Sequence, residues 1–195
     1  MSVKINNLSV HRSGKIVLQQ YEQQFTQRLS CITGANGSGK SSLLCAIAGI
    51  LPYQSGDIRW QDALITKARA DIAIASDAIT LPDFASARDV ILLTQQLWQL
   101  GWPQQLINDF QFQPQLDTQC ASLSTGNLKK LQLILAFMRQ PALLLLDEAN
   151  IALDAQAQAL LWQLIASFNG WIIAASNEAQ LYADKGFTLV ALHEV

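Results

Sequence analysis

The sequence has little charge and no long apolar run. Only 14% of its 195 residues are charged, against about 25% in an ordinary globular protein. The formal net charge is −2, so no general attraction to nucleic acid is expected, and no nucleic-acid partner is predicted. The richest apolar stretch, residues 131–146, is broken by Gln132, Arg139, Gln140 and Pro141, which excludes a membrane-spanning helix there.

Cysteine is also scarce. Cys31, Cys45 and Cys120 are odd in number and lack paired or metal-ligand spacing, so we expect reduced, mostly buried thiols in a reducing compartment. The start of the chain has no apolar stretch of the signal-peptide type. Together these features indicate a protein of cytosolic character. Half of the residues are hydrophobic, which favours either a thick buried sheet or an apolar surface that a partner covers.

The pattern of apolar residues predicts an α/β protein, and the length suits one large domain over residues 1–195. We expect a mostly parallel core sheet, an antiparallel N-terminal β subdomain over the first thirty residues and an inserted helical subdomain over about 83–139. The predicted strands are 29–33, 58–60, 71–75, 143–146, 171–175 and 187–193. The predicted helices are 40–50, 155–168 and one that follows Ser124 and covers about 128–139.

A glycine-rich segment between a strand and a helix matches the phosphate-binding P-loop pattern at every position. Its glycines let successive N–H groups point at phosphate oxygens, and the following helix presents its positive end to the same anion. Lys40 is expected at the β- and γ-phosphates, and the Ser41 hydroxyl on magnesium. The sequence therefore predicts that ATP and Mg²⁺ bind here. The predicted binding residues are Gly34, Ala35, Asn36, Gly37, Ser38, Gly39, Lys40, Ser41 and Ser42.

Two acidic residues follow a run of four leucines, at the end of a predicted buried strand. Ligands of open α/β sheets lie at the carboxyl ends of the strands. We expect Asp147 to face the magnesium ion and Glu148 to act as the general base that polarises the attacking water. A solvated turn is the alternative for this pair alone, and the upstream P-loop argues against it.

A third motif, Leu123-Ser124-Thr125-Gly126-Asn127, would by itself be an ordinary helix N-cap. Placed between the P-loop and the acidic strand, it resembles the Leu-Ser-Gly-Gly-Gln signature of the ATP-binding domains of ABC transporters, with departures at Thr125 and Asn127. The resemblance implies that Ser124 and the N–H of Gly126 act in trans, on the γ-phosphate held by a second ABC ATPase subunit. That subunit could be a second copy of the chain or a different one.

The resemblance extends over nearly the whole chain. Residues 151–154 look like the family's D-loop, with Asp154 at the dimer contact, and residues 55–60 look like the segment that follows the P-loop helix. A member of this family is expected to hydrolyse MgATP and to work through separate transmembrane permease subunits, on the inner, cytoplasmic face of the cell membrane. The ATP-binding subunit of the haem exporter of cytochrome c maturation is similar, and other exporters and importers stay open as alternatives.

Three positions depart from the family pattern. In place of the adenine-stacking aromatic residue the chain has His11 and Arg12; either could stack on adenine, and a solvated loop pair is the alternative. The Q-loop glutamine is replaced by Asp77, which we expect to be a magnesium ligand. Asn177 stands at the switch histidine, where it can bond a γ-phosphate oxygen but carries no positive charge. We therefore expect slow hydrolysis. A degenerate module that binds ATP as a regulatory switch is the alternative.

The helical stretch holds several large apolar residues that could dock a membrane partner. The alternative is that they pack inside the stretch, and ordinary burial preferences favour this for most of them. The residues are Leu81, Phe84, Trp98, Trp102, Phe110 and Phe112.

Overall fold

The computed structural model describes residues 2–12 and 14–193. The strands are β1 (Val3–Arg12), β2 (Lys15–Phe25), β3 (Leu29–Thr33), β4 (Ser55–Trp60), β5 (Ala63–Leu64), β6 (Ile72–Ala75), β7 (Leu143–Asp147), β8 (Trp171–Ser176) and β9 (Thr188–Ala191). The helices are α1 (Lys40–Ile47), α2 (Ala87–Trp98), α3 (Gln104–Asp109), α4 (Thr125–Phe137), α5 (Ala155–Ser167) and α6 (Ala179–Asp184). Short 3-10 turns cover Gln113–Gln115 and Cys120–Ser122.

The strands form two sheets, as predicted. The antiparallel sheet has the order β2-β1-β4-β5, and the second sheet has the order β6-β7-β8-β3-β9. Every strand pair described in the second sheet is parallel. Each parallel pairing needs a crossover connection, and the helices supply most of these. The α/β prediction with a parallel core sheet and an N-terminal antiparallel sheet is therefore confirmed.

Alternate residues of the parallel strands enter two different hydrophobic cores. On β7, Leu143 and Leu145 pack with α1 and the antiparallel sheet. Leu144 and Leu146 pack instead with α4, α5 and the helical stretch. Because both faces are covered, β7 is buried along its whole length. This burial explains its unbroken run of leucines.

The helical stretch lies between β6 and β7, within the predicted range. Its buried residues Ile91, Ile107 and Phe112 belong to the same apolar core as Leu144 and Leu146 of β7. The core of the helical stretch is thus continuous with the core under the parallel sheet. The boundary of the predicted subdomain at 83–139 stays a prediction.

Several predicted boundaries differ from the structure. Helix α1 ends at Ile47 rather than residue 50, because Gly49 adopts a left-handed conformation (φ +71°), which ends helices. The first two strands, for which no separate bounds were predicted, form a long hairpin of 10 and 11 residues. The short elements β5, α3 and α6 were not predicted individually, because two to six residues carry too little periodicity.

All three cysteines are free and buried, as expected. Burial and the nearby Glu148 carboxylate raise the pKa of the Cys31 thiol to about 12. Within residues 2–12 and 14–193, no helix has both the length and the apolar character needed to cross a membrane.

Candidate nucleotide-binding site

The predicted motifs meet at one edge of the parallel sheet. Strands β3, β7 and β8 run in the same direction, and their last residues are in register: Thr33 pairs with Ser176, and Asp147 with Ala175. The P-loop follows β3, the acidic pair ends β7, and Asn177 follows β8. The sheet therefore brings together residues that are more than a hundred positions apart in the chain.

The P-loop needs glycine for two different reasons. Gly39 has φ +99° and is the N-cap of α1 without a side-chain cap, so the first N–H groups of that helix are not capped by a side chain. Gly34 has another constraint, since a Cβ atom there would lie 2.4 Å from the backbone oxygen of Leu192. The loop thus passes close to the backbone at Leu192, just after β9. It leaves the N-terminus of α1 free for an anion.

The ammonium group of Lys40 lies inside the loop. Its Nζ donates to the backbone oxygens of Gly34 at 2.8 Å and Ala35 at 3.0 Å, and to Oδ1 of Asn177 at 2.6 Å. The amide nitrogen of Asn177 also donates to the side-chain oxygen of Asn36. The residue at the predicted switch position is therefore in direct contact with the P-loop lysine.

Asp147 is a buried carboxylate with one oxygen in a hydrogen bond. Its Oδ2 accepts a hydrogen bond of 2.6 Å from the Ser76 hydroxyl, and the residue is only 4% exposed. Among the described residues its Oδ1 has no hydrogen-bond partner. A buried polar atom without a partner is costly, so this oxygen is suited to a ligand.

Glu148 has an unusual backbone conformation. Its φ is +45°, the left-handed region that non-glycine residues rarely adopt and that is frequent at functional sites. Partial burial and the neighbouring Asp147 charge raise the pKa of the Glu148 carboxyl, while Lys40 and the Ser176 hydroxyl act against this rise. The Ser176 hydroxyl donates to Oε2 of Glu148 at 3.2 Å.

The structure gives Asp77 a partner that the sequence did not reveal. Asp77 Oδ1 lies 2.8 Å from Nζ of Lys129, whose side chain is 1% exposed, whereas the Asp77 side chain is 65% exposed. Nζ of Lys129 is also 3.5 Å from the backbone oxygen of Asp147. Asp77 therefore joins the end of β6 to the signature helix α4, and its role as a metal ligand stays a prediction.

The signature segment and the D-loop form a second cluster. Ser124 is the N-cap of α4, where its hydroxyl accepts from Asn127 N at 3.2 Å. A Cβ atom on Gly126 would lie 2.7 Å from the backbone oxygen of Ala152, so glycine permits a close approach of the two segments. Asp154 caps α5 and pairs with Lys130 at 2.6 Å.

The remaining predicted residues lie near the loop. Ser42 is buried and Ser41 is partly buried in the first turn of α1. His11 and Arg12 are exposed at the end of β1, and Val17 of the same hairpin reaches the P-loop at Gly39. Adenine stacking by His11 or Arg12 stays a prediction.

The residues present fit a magnesium nucleotide. Two buried oxygens, Oγ of Ser38 in the loop and Oδ1 of Asp147, have no hydrogen-bond partner within the described part of the chain. The uncapped end of α1 adds N–H donors, which suit phosphate oxygens. Lys40 would contact the phosphates, and Ser41 and Asp147 would hold the metal ion.

The comparisons with known proteins assign the family. The model of the ABC transporter family, described as "ABC transporter", matches residues 23–150, about two thirds of the chain. The chain belongs to this family.

Similar proteins include a zinc import ATP-binding protein, ZnuC, of Halorhodospira halophila, which is 26% identical over 85% of this chain and 62% of its own length. This chain thus spans about three fifths of that relative. The cytochrome c biogenesis ATP-binding export protein CcmA of Sodalis glossinidius is 26% identical, over 89% of this chain and 88% of its own. The fold matches the dimeric structure of the bacterial ABC transporter cassette MJ0796, with a TM-score of 0.83, 16% identity and coverage of 97% and 94%.

Three residues of the site were not identified from the sequence. Ser76 and Ser176 donate hydrogen bonds to the two acidic side chains, Asp147 and Glu148. Lys129 forms an ion pair with Asp77. Each serine directly follows a predicted strand, which was the available signal. A buried lysine on α4 gave no such signal, because its neighbour Lys130 makes the pair look like a solvated surface.

Proposed function

We propose that the chain is the ATP-binding subunit of an ABC transporter. It binds and hydrolyses MgATP at an interface with a second ABC ATPase subunit, and it drives transport through separate membrane subunits. It works at the cytoplasmic face of the cell membrane. The observation that carries the proposal is the convergence of Lys40, Glu148 and Oδ1 of Asp147 at one sheet edge, where that oxygen has no hydrogen-bond partner among the residues that the structure describes.

Each residue has a separate task in this proposal. Lys40 and the N–H groups at the start of α1 bind the phosphates, and Ser41 and Asp147 orient the metal ion. When bound, magnesium would supply positive charge that offsets the negative charge developing on the phosphate oxygens. Glu148 accepts a proton from the attacking water, and partial desolvation suits it to that task by raising its pKa.

The second cluster supports a two-subunit site. Ser124 is exposed and caps the N-terminus of α4, and Gly126 in the first turn of that helix lies against the D-loop. A helix N-terminus favours anions, so this surface is suited to the γ-phosphate of a nucleotide on another subunit. The dimeric cassette that shares the fold is consistent with that arrangement.

The large apolar residues of the helical stretch divide into two groups. Phe110 and Phe112 are buried, and Leu81, Trp98 and Trp102 are partly buried, so most of them pack inside.

Phe84 is 82% exposed, and α2 also exposes apolar side chains at Leu93 and Leu97. We assign the contact with the membrane subunits to this exposed apolar surface, because aromatic side chains anchor interfaces.

Asn177 makes the proposed hydrolysis slow, because a neutral amide replaces a group that can carry charge beside the γ-phosphate. An Asn177→His variant is expected to raise the single-turnover rate by about three- to tenfold, since charge-assisted hydrogen bonds are roughly twice as strong as neutral ones. Rapid-quench measurement of ATP cleavage checks this. Asn177→Ala, which only removes the amide, should give no rise, and an unchanged or lower rate for Asn177→His contradicts the argument.

A complementation experiment tests the shared site, with a second copy of this chain as the partner. Lys40→Met damages the P-loop and Ser124→Arg blocks the signature surface, so each variant alone should lose hydrolysis. A one-to-one mixture should recover about a quarter of the wild-type rate, because half of the dimers are mixed and each carries one complete site. Variants that are separately active contradict the shared site, and inactive variants without recovery contradict a site built from two copies.

A further inference from the structure

Two serines stand on either side of the acidic strand β7. Ser76 directly follows β6 and Ser176 ends β8, and these two strands are the neighbours of β7 in the sheet. Both serines are buried, at 1% and 0% exposure. Polar side chains buried to this degree are normally bonded, and each serine is bonded to a different acidic residue of β7 and its end.

Ser76 contacts the first acidic residue. Its hydroxyl donates to Oδ2 of Asp147 at 2.6 Å, and its Oγ accepts from the backbone N–H of Ala78 at 3.1 Å. Because a backbone N–H can only donate, the serine oxygen is the acceptor there. The hydroxyl proton is therefore directed at the carboxylate, which leaves Oδ1 of Asp147 without a partner among the described residues.

Ser176 repeats the arrangement on the other side. Its hydroxyl donates to Oε2 of Glu148 at 3.2 Å, and its Oγ accepts from the backbone N–H of Glu178 at 3.1 Å. The residue two positions later thus fixes the serine in both cases. Glu148 needs such support, because its backbone is held in the left-handed region.

We propose that Ser76 and Ser176 are positioning residues with different tasks: Ser76 orients Asp147 for the metal ion, and Ser176 orients Glu148 for the attacking water. The assignment rests on the roles of Asp147 and Glu148 in the proposed function. Groups that hold a ligand or a catalytic side chain from behind commonly contribute about 10- to 100-fold to metal affinity or activity. The two serines should therefore give separable effects.

Two substitutions of the same type test this separation. Ser76→Ala should raise the magnesium concentration needed for half-maximal ATP binding by about tenfold, with binding in EDTA unchanged. Ser176→Ala should leave the magnesium dependence unchanged and lower kcat by about tenfold at constant KM. Binding is followed with a fluorescent ATP analogue at equilibrium, which is independent of turnover, and unfolding temperature reports on the fold.

Ser30→Ala is the matched control. Ser30 is 2% exposed on β3 of the same sheet, and its hydroxyl donates to a backbone oxygen, that of Gln27, at 3.3 Å. This variant should change neither the magnesium dependence nor kcat. If Ser76→Ala and Ser176→Ala match it, or if both lose ATP binding equally with and without magnesium, the assignment is overturned.

Two further variants separate this assignment from the proposed function. Asp147→Asn should weaken magnesium-dependent binding, and Glu148→Gln should remove hydrolysis. If these two variants behave so and the serine variants do not, only the serine assignment fails. If Asp147→Asn and Glu148→Gln themselves have no effect, the proposed function fails and the serine assignment with it.

Discussion

Replacement of Glu148 by Gln is expected to lower the kcat of ATP hydrolysis by about 10²- to 10⁴-fold, the usual contribution of a general base. Glutamine has the same shape, and its oxygen can still accept the hydrogen bond that Ser176 donates to Glu148. It cannot accept the proton of the attacking water at neutral pH. Nucleotide binding should stay within about threefold of the wild type, because phosphate binding is assigned to the P-loop and not to Glu148.

The measurement pairs a phosphate-release assay with equilibrium binding of a fluorescent ATP analogue. Glu178→Gln is the control, since Glu178 is the next glutamate along this edge and its carboxylate accepts a hydrogen bond from the Asn150 amide. That variant should hydrolyse ATP at close to the wild-type rate. A Glu148→Gln variant with normal turnover would remove Glu148 from the mechanism.

Replacement of Asp77 by Asn is expected to lower the free energy of unfolding by about 2 kcal/mol, within the range for hydrogen bonds to charged groups. The reason is that Lys129 is 1% exposed and would lose the carboxylate that lies 2.8 Å from its Nζ. An unpaired buried ammonium group is unfavourable. Because the Asp77 side chain is 65% exposed, water screens part of the attraction, and the full penalty of a buried pair is not expected.

A second substitution makes the argument specific. Lys129→Met removes the charge that Asp77→Asn leaves unpaired, so the double variant should be more stable than Asp77→Asn alone. Urea denaturation of the four chains measures the coupling. Asp62→Asn is the control, because the Lys4–Asp62 pair is 40% and 79% exposed and water screens most of its attraction. Additive effects of the two substitutions would contradict a coupled pair.

The Asp77→Asn variant also tests the prediction that Asp77 is a magnesium ligand. Asparagine retains one side-chain oxygen but not the negative charge. If Asp77 is a magnesium ligand, the magnesium dependence of ATP binding should weaken as well as the stability. A change in stability alone would assign Asp77 to the contact with α4.

Local patterns predicted most of the fold. The alternation of apolar residues before residue 30 indicated antiparallel strands, and the run of leucines on β7 indicated a strand buried on both faces. Contacts between elements that are distant in the chain could not be predicted from these patterns. The sequence did not indicate that the helical stretch shares its core with β7, since that depends on contacts between distant elements.

Sequence patterns alone predicted the phosphate loop, the acidic pair and the signature segment, because each is a short run whose residue types meet one chemical requirement. Glycines permit the loop, and carboxylate oxygens are ligands that suit a magnesium ion. The contacts that each side chain makes depend on the three-dimensional fold. It placed Asn177 against Lys40, Lys129 against Asp77, and Ser76 and Ser176 against the acidic pair. These contacts join residues that are far apart in the chain, and the order of strands in the parallel sheet brings them to one edge.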